Sequence, residues 1–330
     1  MPEKARIGLD LFGGDNAPNS TLKGAIFALK NNFIDELYLI GGEETLKNDI
    51  PQELWSKIKF IKAENSVDNH TKPTEVLKLK NSSIYIGTEM MKNGELDAFV
   101  SAGSTGALLA AGTFVTGRIK GIDRPALVIP LPGKGGKPRV LVDGGANAEL
   151  KPAHFISLAK EGIAFAKFLG IKNPKVHILN IGTEESKGTK LVKEAAEYLT
   201  NDPKINYIGF VEGRDIFEKE IDVIVTDGFT GNNTLKTIEG TAYYIMSELK
   251  EKIVNGGIFA KLGALLLKKA LKGLKASLDY RQYGGTFFLG INGILIKAHG
   301  SSDSEAIANA LAVANRAVKE NIVEKIKDIL

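Results

Sequence analysis

Short apolar runs recur along this chain, and most end in a turn of Gly, Ser, Thr, Asp or Asn. "ARIGLDLFGGD" predicts a buried strand closing on a Gly-Gly turn. A helical pattern over Leu22–Leu29 follows, then a strand over Leu37–Ile40 ending at Gly41-Gly42, and another at Ile58–Ile61. "SSIYIGTEMMKNGELDAFVSAGSTGALLAAGTFV" reads as helix, strand, glycine-hydroxyl turn and helix, an αβα unit of a parallel sheet. Two apolar runs, Ala126–Leu131 and Val140–Val142, flank a Gly/Pro/Lys turn and predict a hairpin inside the sheet. "KPAHFISLAKEGIAFAKFLG" is helical and closes on Gly170. "KVHILNIGTEESKGTKLVKEAAEYL" and "IDVIVTDGFTGNNTLKTIEGTAYYIM" repeat strand, polar turn and helix, and a last helix begins near Asp303.

The pattern is that of an α/β fold, and it directs attention to the turns. In open α/β sheets ligands bind at the carboxyl ends of the strands. Six turns qualify: "DLFGGD", "SAGSTG", "VDGGAN", "NIGTEESKG", "TDGFTGN" and "AHGSS". They are expected to converge on one sheet edge. In "SAGSTG" the first N–H groups of a helix lack intrahelical partners, and the helix dipole is positive there. Ser101, Gly103, Ser104, Thr105 and Gly106 therefore form a candidate phosphate or carboxylate site. The same residues also make an ordinary helix start, with Ser104 or Thr105 as the cap.

Composition narrows the chemistry. The 330 residues are 43% hydrophobic and 25% charged, as in a globular protein with a large core, and 36 glycines supply many turns. With no cysteine, disulfides, a catalytic thiol and thiolate metal sites are excluded. His70, His154, His177 and His299 are scattered, so no metal site is expected. Dinucleotide, Walker-type and nucleophile-elbow motifs are missing, so no nucleotide cofactor and no serine hydrolase chemistry are expected. No run is long enough for a membrane-spanning helix and no signal peptide is evident, so a cytoplasmic location is expected. Net charge is +4, but Lys252–Leu278 holds six lysines and no acid; the rest of the chain sums to −2. Basicity confined to one segment argues against a nucleic-acid partner.

Several of these stretches together resemble, in order and nearly end to end, the PlsX-type phosphate acyltransferases of bacterial phospholipid synthesis. "LDLFGGDNAPN" is similar to their opening D-x-x-G-G-D-x-x-P, "TKPTEVLKLKNSSIYIG" to K-P-x-x-x-x-x-K-x-S-S, and "SAGSTGALLA" to S-A-G-N-T-G-A. "GIDRPAL", "NIGTEESKG", "DGFTGNNTLKTIEG" and "YGGTFFLGINGILIKAHGSS" also match. Ser104 stands where the family usually has Asn, Leu11-Phe12 replace Ala-Met, and "VDGGANAELKP" replaces D-V-G-A-N-x-D-x-K-P.

The resemblance implies a three-layer, Rossmann-like, mostly parallel sheet of the isocitrate/isopropylmalate dehydrogenase type, shared with phosphotransacetylases. It implies one catalytic unit over 1–330, with a helical protrusion at 235–278. The implied reaction moves a long-chain acyl group from acyl-acyl carrier protein to inorganic phosphate. The acyl phosphate would then feed a membrane glycerol-3-phosphate acyltransferase and phosphatidic acid synthesis. A homodimer and peripheral membrane association are implied as well. Lys187 and Asn232, each read as lying in a turn after a strand, become the candidate oxyanion donors, with Lys187 also able to protonate the thiolate or orient phosphate. His299 joins them as a catalytic candidate. Asp10, Asp143 and Asp227 are expected to orient neighbours or cap helices, and with Gly14, Asn147 and Ser301 to complete the substrate site. The alternatives are an isopropylmalate-dehydrogenase-like oxidoreductase and a non-catalytic carrier-protein scaffold at the membrane.

Two segments carry the assembly expectations. Leu235–Val254 reads as a long helix with one apolar face, expected to pair between two copies. Over Gly256–Leu278, Lys261, Lys268, Lys269, Lys272 and Lys275 fall within roughly a third of a helical wheel. Phe259, Leu262, Leu266, Leu267, Leu271, Leu274 and Leu278 lie opposite, with Leu265 intruding on the lysines. A helix of this kind is expected to lie on an anionic membrane surface.

Overall fold

Strand alternation divides the apolar residues into two layers around one sheet. The structure is a computed structural model describing residues 4–41, 44–68, 71–217, 220–278 and 285–330, without the side chains of 44, 45, 134 and 275–278. Gly42, His70, Tyr283 and Gly284 of the sequence reading lie outside the described residues, as do the side chains of Lys275 and Leu278. The strands are β1 (Arg6–Asp10), β2 (Glu36–Ile40), β3 (Ile58–Ile61), β4 (Ala98–Ser101), β5 (Ala126–Leu131) and β6 (Arg139–Val142). They continue with β7 (Val176–Leu179), β8 (Tyr207–Val211), β9 (Val223–Val225), β10 (Thr286–Leu289) and β11 (Ile294–Lys297). Together they form an 11-stranded sheet in the order β3-β2-β1-β4-β11-β10-β5-β6-β9-β7-β8.

The helices are α1 (Asn19–Lys30), α2 (Ser83–Lys92), α3 (Thr105–Ala111), α4 (His154–Phe168) and α5 (Lys190–Thr200). After these come α6 (Gly228–Asn255), α7 (Gly257–Leu266), α8 (Lys268–Leu278), α9 (Ser304–Lys319) and α10 (Ile322–Ile329). Ala98 and Val100 face the layer of α1, α4, α5, α9 and α10, while Phe99 faces the layer of α2, α3 and the start of α6. Likewise Val140 and Val142 point to the first layer and Leu141 to the second. With both faces covered, β4, β5, β6 and β7 are buried throughout, which explains their largely apolar sequences. This is the expected three-layer, mostly parallel fold.

Strand direction corrects one expectation. β3, β2, β1, β4 and β11 are parallel. β10 is antiparallel to both β11 and β5, and β5 forms the expected hairpin with β6, Ile129 facing Leu141. β6, β9, β7 and β8 are parallel again, so this block runs opposite to the first. Asp10, Ser101 and Lys297, at the ends of β1, β4 and β11, therefore lie on one edge. Asp143 and Asp227, just after β6 and β9, lie on the other. The six turns do not share an edge; those that meet do so over the face of the central strands, where Leu127 and Ile129 floor a cavity between α3 and α6.

The helical segment also differs in detail. The long helix starts at Gly228 rather than Leu235, and only Gly228, Gly231 and Leu235 of its residues are buried. What read as one amphipathic helix over 256–278 breaks at Leu267 into α7 and α8, and α7 buries none of its residues. No helix of the described residues is long and apolar enough to cross a membrane.

Candidate active site

Three loops build the site. In the first, Asp10 ends β1 and is buried. Ser101 donates its hydroxyl to Asp10 Oδ2 at 2.7 Å and accepts the Gly103 N–H at 2.9 Å. Phe12 N–H donates to Asp10 Oδ1 at 3.1 Å. Burial pushes the Asp10 carboxyl above the usual range, and the bonds from Ser101, Ser83, Phe12 and Gly13 pull it back only partly. Gly14 adopts φ +103°, where an added Cβ would sit 3.0 Å from the Gly300 carbonyl oxygen. This close approach lets Asp15 N–H donate to Gly300 O at 2.8 Å and ties the first loop to the third. Ser104 caps α3, its hydroxyl accepting Ala107 N–H at 3.5 Å. The Ser101 hydroxyl proton is thus committed to Asp10 within the loop, whereas Ser104 only accepts and keeps its O–H to donate. Gly103 and Thr105 line the cavity.

The second loop hangs on Asp143. Its buried carboxylate accepts five bonds, from the N–H groups of Leu127, Gly145, Ala146 and Asn147 and from Asn147 Nδ2, at 2.7–3.1 Å. Burial raises its carboxyl above the usual range against these bonds. Asn147 Nδ2 also donates to Pro125 O at 2.9 Å, and its carbonyl accepts Gly228 N–H at 2.7 Å. Asp143 and Asn147 therefore shape the loop that presents Gly144 and Gly145 to the cavity. Asp227 caps α6, accepting from Thr230 N–H at 2.8 Å and Thr230 Oγ1 at 2.9 Å. Gly231 is required where α6 presses on this loop, because a Cβ would fall on the Asp143 carbonyl oxygen. Asn232 lies one turn into α6, not in a turn after the strand, and packs beside Gly145 on the cavity wall.

The third loop follows β11. His299 lines the cavity, and its Nδ1 accepts Ser301 N–H at 3.2 Å and lies 2.8 Å from Ser301 Oγ. In the neutral ring this places the proton on Nε2. Ser301 thus orients His299. Lys297 escaped the sequence reading; its only signal there is a lysine closing an otherwise apolar run in "ILIKAHGSS". Its Nζ donates to Ala102 O at 3.0 Å and to Ala298 O. Burial is the main cause that lowers the Lys297 ammonium to about 8; Asp15 and Asp10 oppose it, and Lys236 adds to it.

These loops enclose a cavity of about 500 Å³. At Thr105 and Gly145 it adjoins a second space of about 830 Å³ lined by Pro73, Leu109, Phe114 and Pro125. Gly106 lies in this second space, with Arg118, Arg124 and Lys151 at its rim. Burial and the nearby Arg124 lower the His154 imidazole there. Lys187 is not brought to either space. It is exposed on the loop after β7, on the same sheet edge as Asp227. Asn232 and His299 do come together, on walls supplied by opposite halves of the sheet.

The family model described as fatty acid synthesis protein matches residues 5–325. A phosphate acyltransferase of Petrotoga mobilis is 60% identical over 324 residues, covering 98% of each chain. One from Thermotoga maritima is 45% identical over 322 residues, covering 98% of this chain and 96% of its own. A phosphotransacetylase from Streptococcus pyogenes shares the fold, with TM-score 0.65 at 17% identity over 98% of this chain and 95% of its own. On this full-length similarity, the chain belongs to the phosphate acyltransferase family of fatty acid synthesis proteins, a family of acyl-transferring enzymes.

Proposed function

We propose that the chain transfers a long-chain acyl group from acyl-acyl carrier protein to inorganic phosphate, releasing acyl phosphate and free carrier protein. The observation that carries this reading is the divided cleft. A polar cavity with amides, Asn232, Lys297 and His299 adjoins a larger, mainly apolar space at Thr105 and Gly145. The first suits an oxyanion and the second suits an acyl chain.

The chemistry balances without a cofactor. An oxygen of hydrogen phosphate attacks the thioester carbonyl carbon and forms a tetrahedral intermediate. The C–S bond then breaks, and the phosphate proton ends on the departing sulfur. The Thr105 hydroxyl holds phosphate, and Asn232 Nδ2 donates to the oxyanion. His299, fixed through Nδ1 by Ser301, relays the proton. The test is to mix the purified chain with palmitoyl-carrier protein and phosphate, without added metal or nucleotide, and to detect acyl phosphate by mass spectrometry. No product with several chain lengths, from folded protein, overturns the reading.

The product is lipophilic, and its consumer in this reading is a membrane glycerol-3-phosphate acyltransferase supplying phosphatidic acid synthesis. We place α7 and α8 against an anionic membrane. Phe259 and Leu266 are 86% and 88% exposed, and Lys261, Lys268, Lys269 and Lys272 are exposed beside them. α6 carries exposed Tyr243, Tyr244, Ile245 and Val254, which supports a homodimer paired through this helix. A monomer in light scattering at micromolar concentration overturns the pairing.

A further inference from the structure

We propose that Lys297 holds the attacking phosphate in the polar cavity, and that anion binding charges this lysine by taking up a proton from solvent. The inference rests on the acyl-transfer reading only for the identity of the anion.

The geometry is specific. Lys297 is the last residue of β11, paired with Ser101 of β4 on one side and Thr286 of β10 on the other. Two of its N–H groups are engaged by the carbonyls of Ala102 and Ala298. Ala102 belongs to the loop that also presents Thr105, so the lysine is fixed to the wall that offers this hydroxyl. A charged ammonium has a third N–H, and Lys297 lines the cavity. Among the described residues it forms no ion pair. The facing charges are Asp10 at the end of β1, Asp15 in the next loop, and Lys236 and Glu239 on α6; His299 follows on its own loop. Lys236 is occupied by Glu239 at 2.6 Å. Lys297 is therefore the cation left for an anion in this cavity.

Its environment makes it responsive. Burial, with Lys236, holds the ammonium at about 8, so above that pH the Lys297 amine is mostly neutral until an anion binds. A bound dianion favours the charged form. Anion affinity then falls as pH rises above 8, by at most about tenfold per unit for one linked proton. Phosphate would enter a site that presents full positive charge only when occupied, which avoids a strong permanent attraction for other anions.

The test is calorimetric titration of the whole chain at pH 8.5 with phosphate and with sulfate, in buffers of different ionisation enthalpy. Sulfate does not titrate in this range, so any proton taken up with it comes to the protein. Wild type is expected to take up a large fraction of one proton. Lys297→Arg is expected to bind both anions without uptake, with an affinity flat in pH. Lys297→Gln is expected to weaken phosphate binding roughly 10- to 100-fold, the loss of one charged hydrogen bond. His299→Gln should keep the uptake, which assigns it to Lys297. Wild-type binding without uptake, or none, overturns the proposal. So does uptake that survives in Lys297→Arg, or phosphate binding by Lys297→Gln within a few-fold of wild type. Since no acyl substrate is present, a chain that shows the uptake yet forms no acyl phosphate refutes the reaction while upholding this site.

Discussion

Ser101 Oγ donates to Asp10 Oδ2 at 2.7 Å, and both residues are sealed from solvent. A serine at the most ligand-like turn of the sequence is thus committed to a buried carboxyl from the neighbouring strand. The bond joins the ends of β1 and β4 and sets the loop carrying Gly103 and Thr105.

Stability should report this bond with a defined pH dependence. Burial raises the folded Asp10 carboxyl above its ordinary value, so the folded state holds that proton more tightly than the unfolded chain. Its contribution is complete below the unfolded value of about 3.9 and is lost as pH rises through the raised folded value. Ser101→Ala removes a bond that favours the charged form and raises the folded value further. The expected loss is about 1–3 kcal/mol in urea titrations, larger at pH 8 than at pH 5. A smaller loss at pH 8 contradicts this account.

Asn232 is exposed on the cavity wall beside Gly145, so its removal should spare the fold. Asn232→Ala is expected to lower turnover by about 100-fold, the scale for one oxyanion donor, with the thermal midpoint little changed. Turnover within a few-fold of wild type removes Asn232 from the chemistry.

Two glycines of α6 should respond in opposite directions. A Cβ at Gly231 collides with the Asp143 carbonyl, whereas one at Gly240 meets nothing within 4 Å. Gly231→Ala is expected to destabilise the fold and abolish activity by shifting the Asp143 loop. Gly240→Ala should stabilise by about 0.5–1 kcal/mol, because alanine loses less backbone entropy in a helix. Thermal denaturation of the two variants decides; equal effects would show that α6 does not press on the loop as described.

Membrane binding should follow charge and exposed leucines together. Each lysine near an anionic surface contributes about 1 kcal/mol, screened by salt. The chain is expected to sediment with anionic vesicles at low salt and weakly with neutral ones. Replacing Leu266 and Leu267, 88% and 58% exposed, by Glu should abolish binding while soluble turnover persists. A double variant that still sediments like wild type clears α7 and α8 of this role.

The sequence by itself determined the local units. Short apolar runs marked most of the strands, and the β5–β6 hairpin followed from two such runs across a Gly/Pro turn. Asp303 and Ser104 were legible as helix starts because capping depends on residues only three apart. Tertiary structure alone decided how the two blocks join: β10, far along the chain, enters antiparallel between β11 and β5, so that the β5–β6 hairpin leaves β6, β9, β7 and β8 running opposite to the first block. That reversal placed Asn232 and His299 on facing walls and left Lys187 on a loop outside both spaces. It also decided Lys297, an ordinary strand-end lysine in sequence. Only the pairing of β11 with β4 brings the Ala102 carbonyl, nearly two hundred residues away in the chain, to its ammonium, and burial there lowers it.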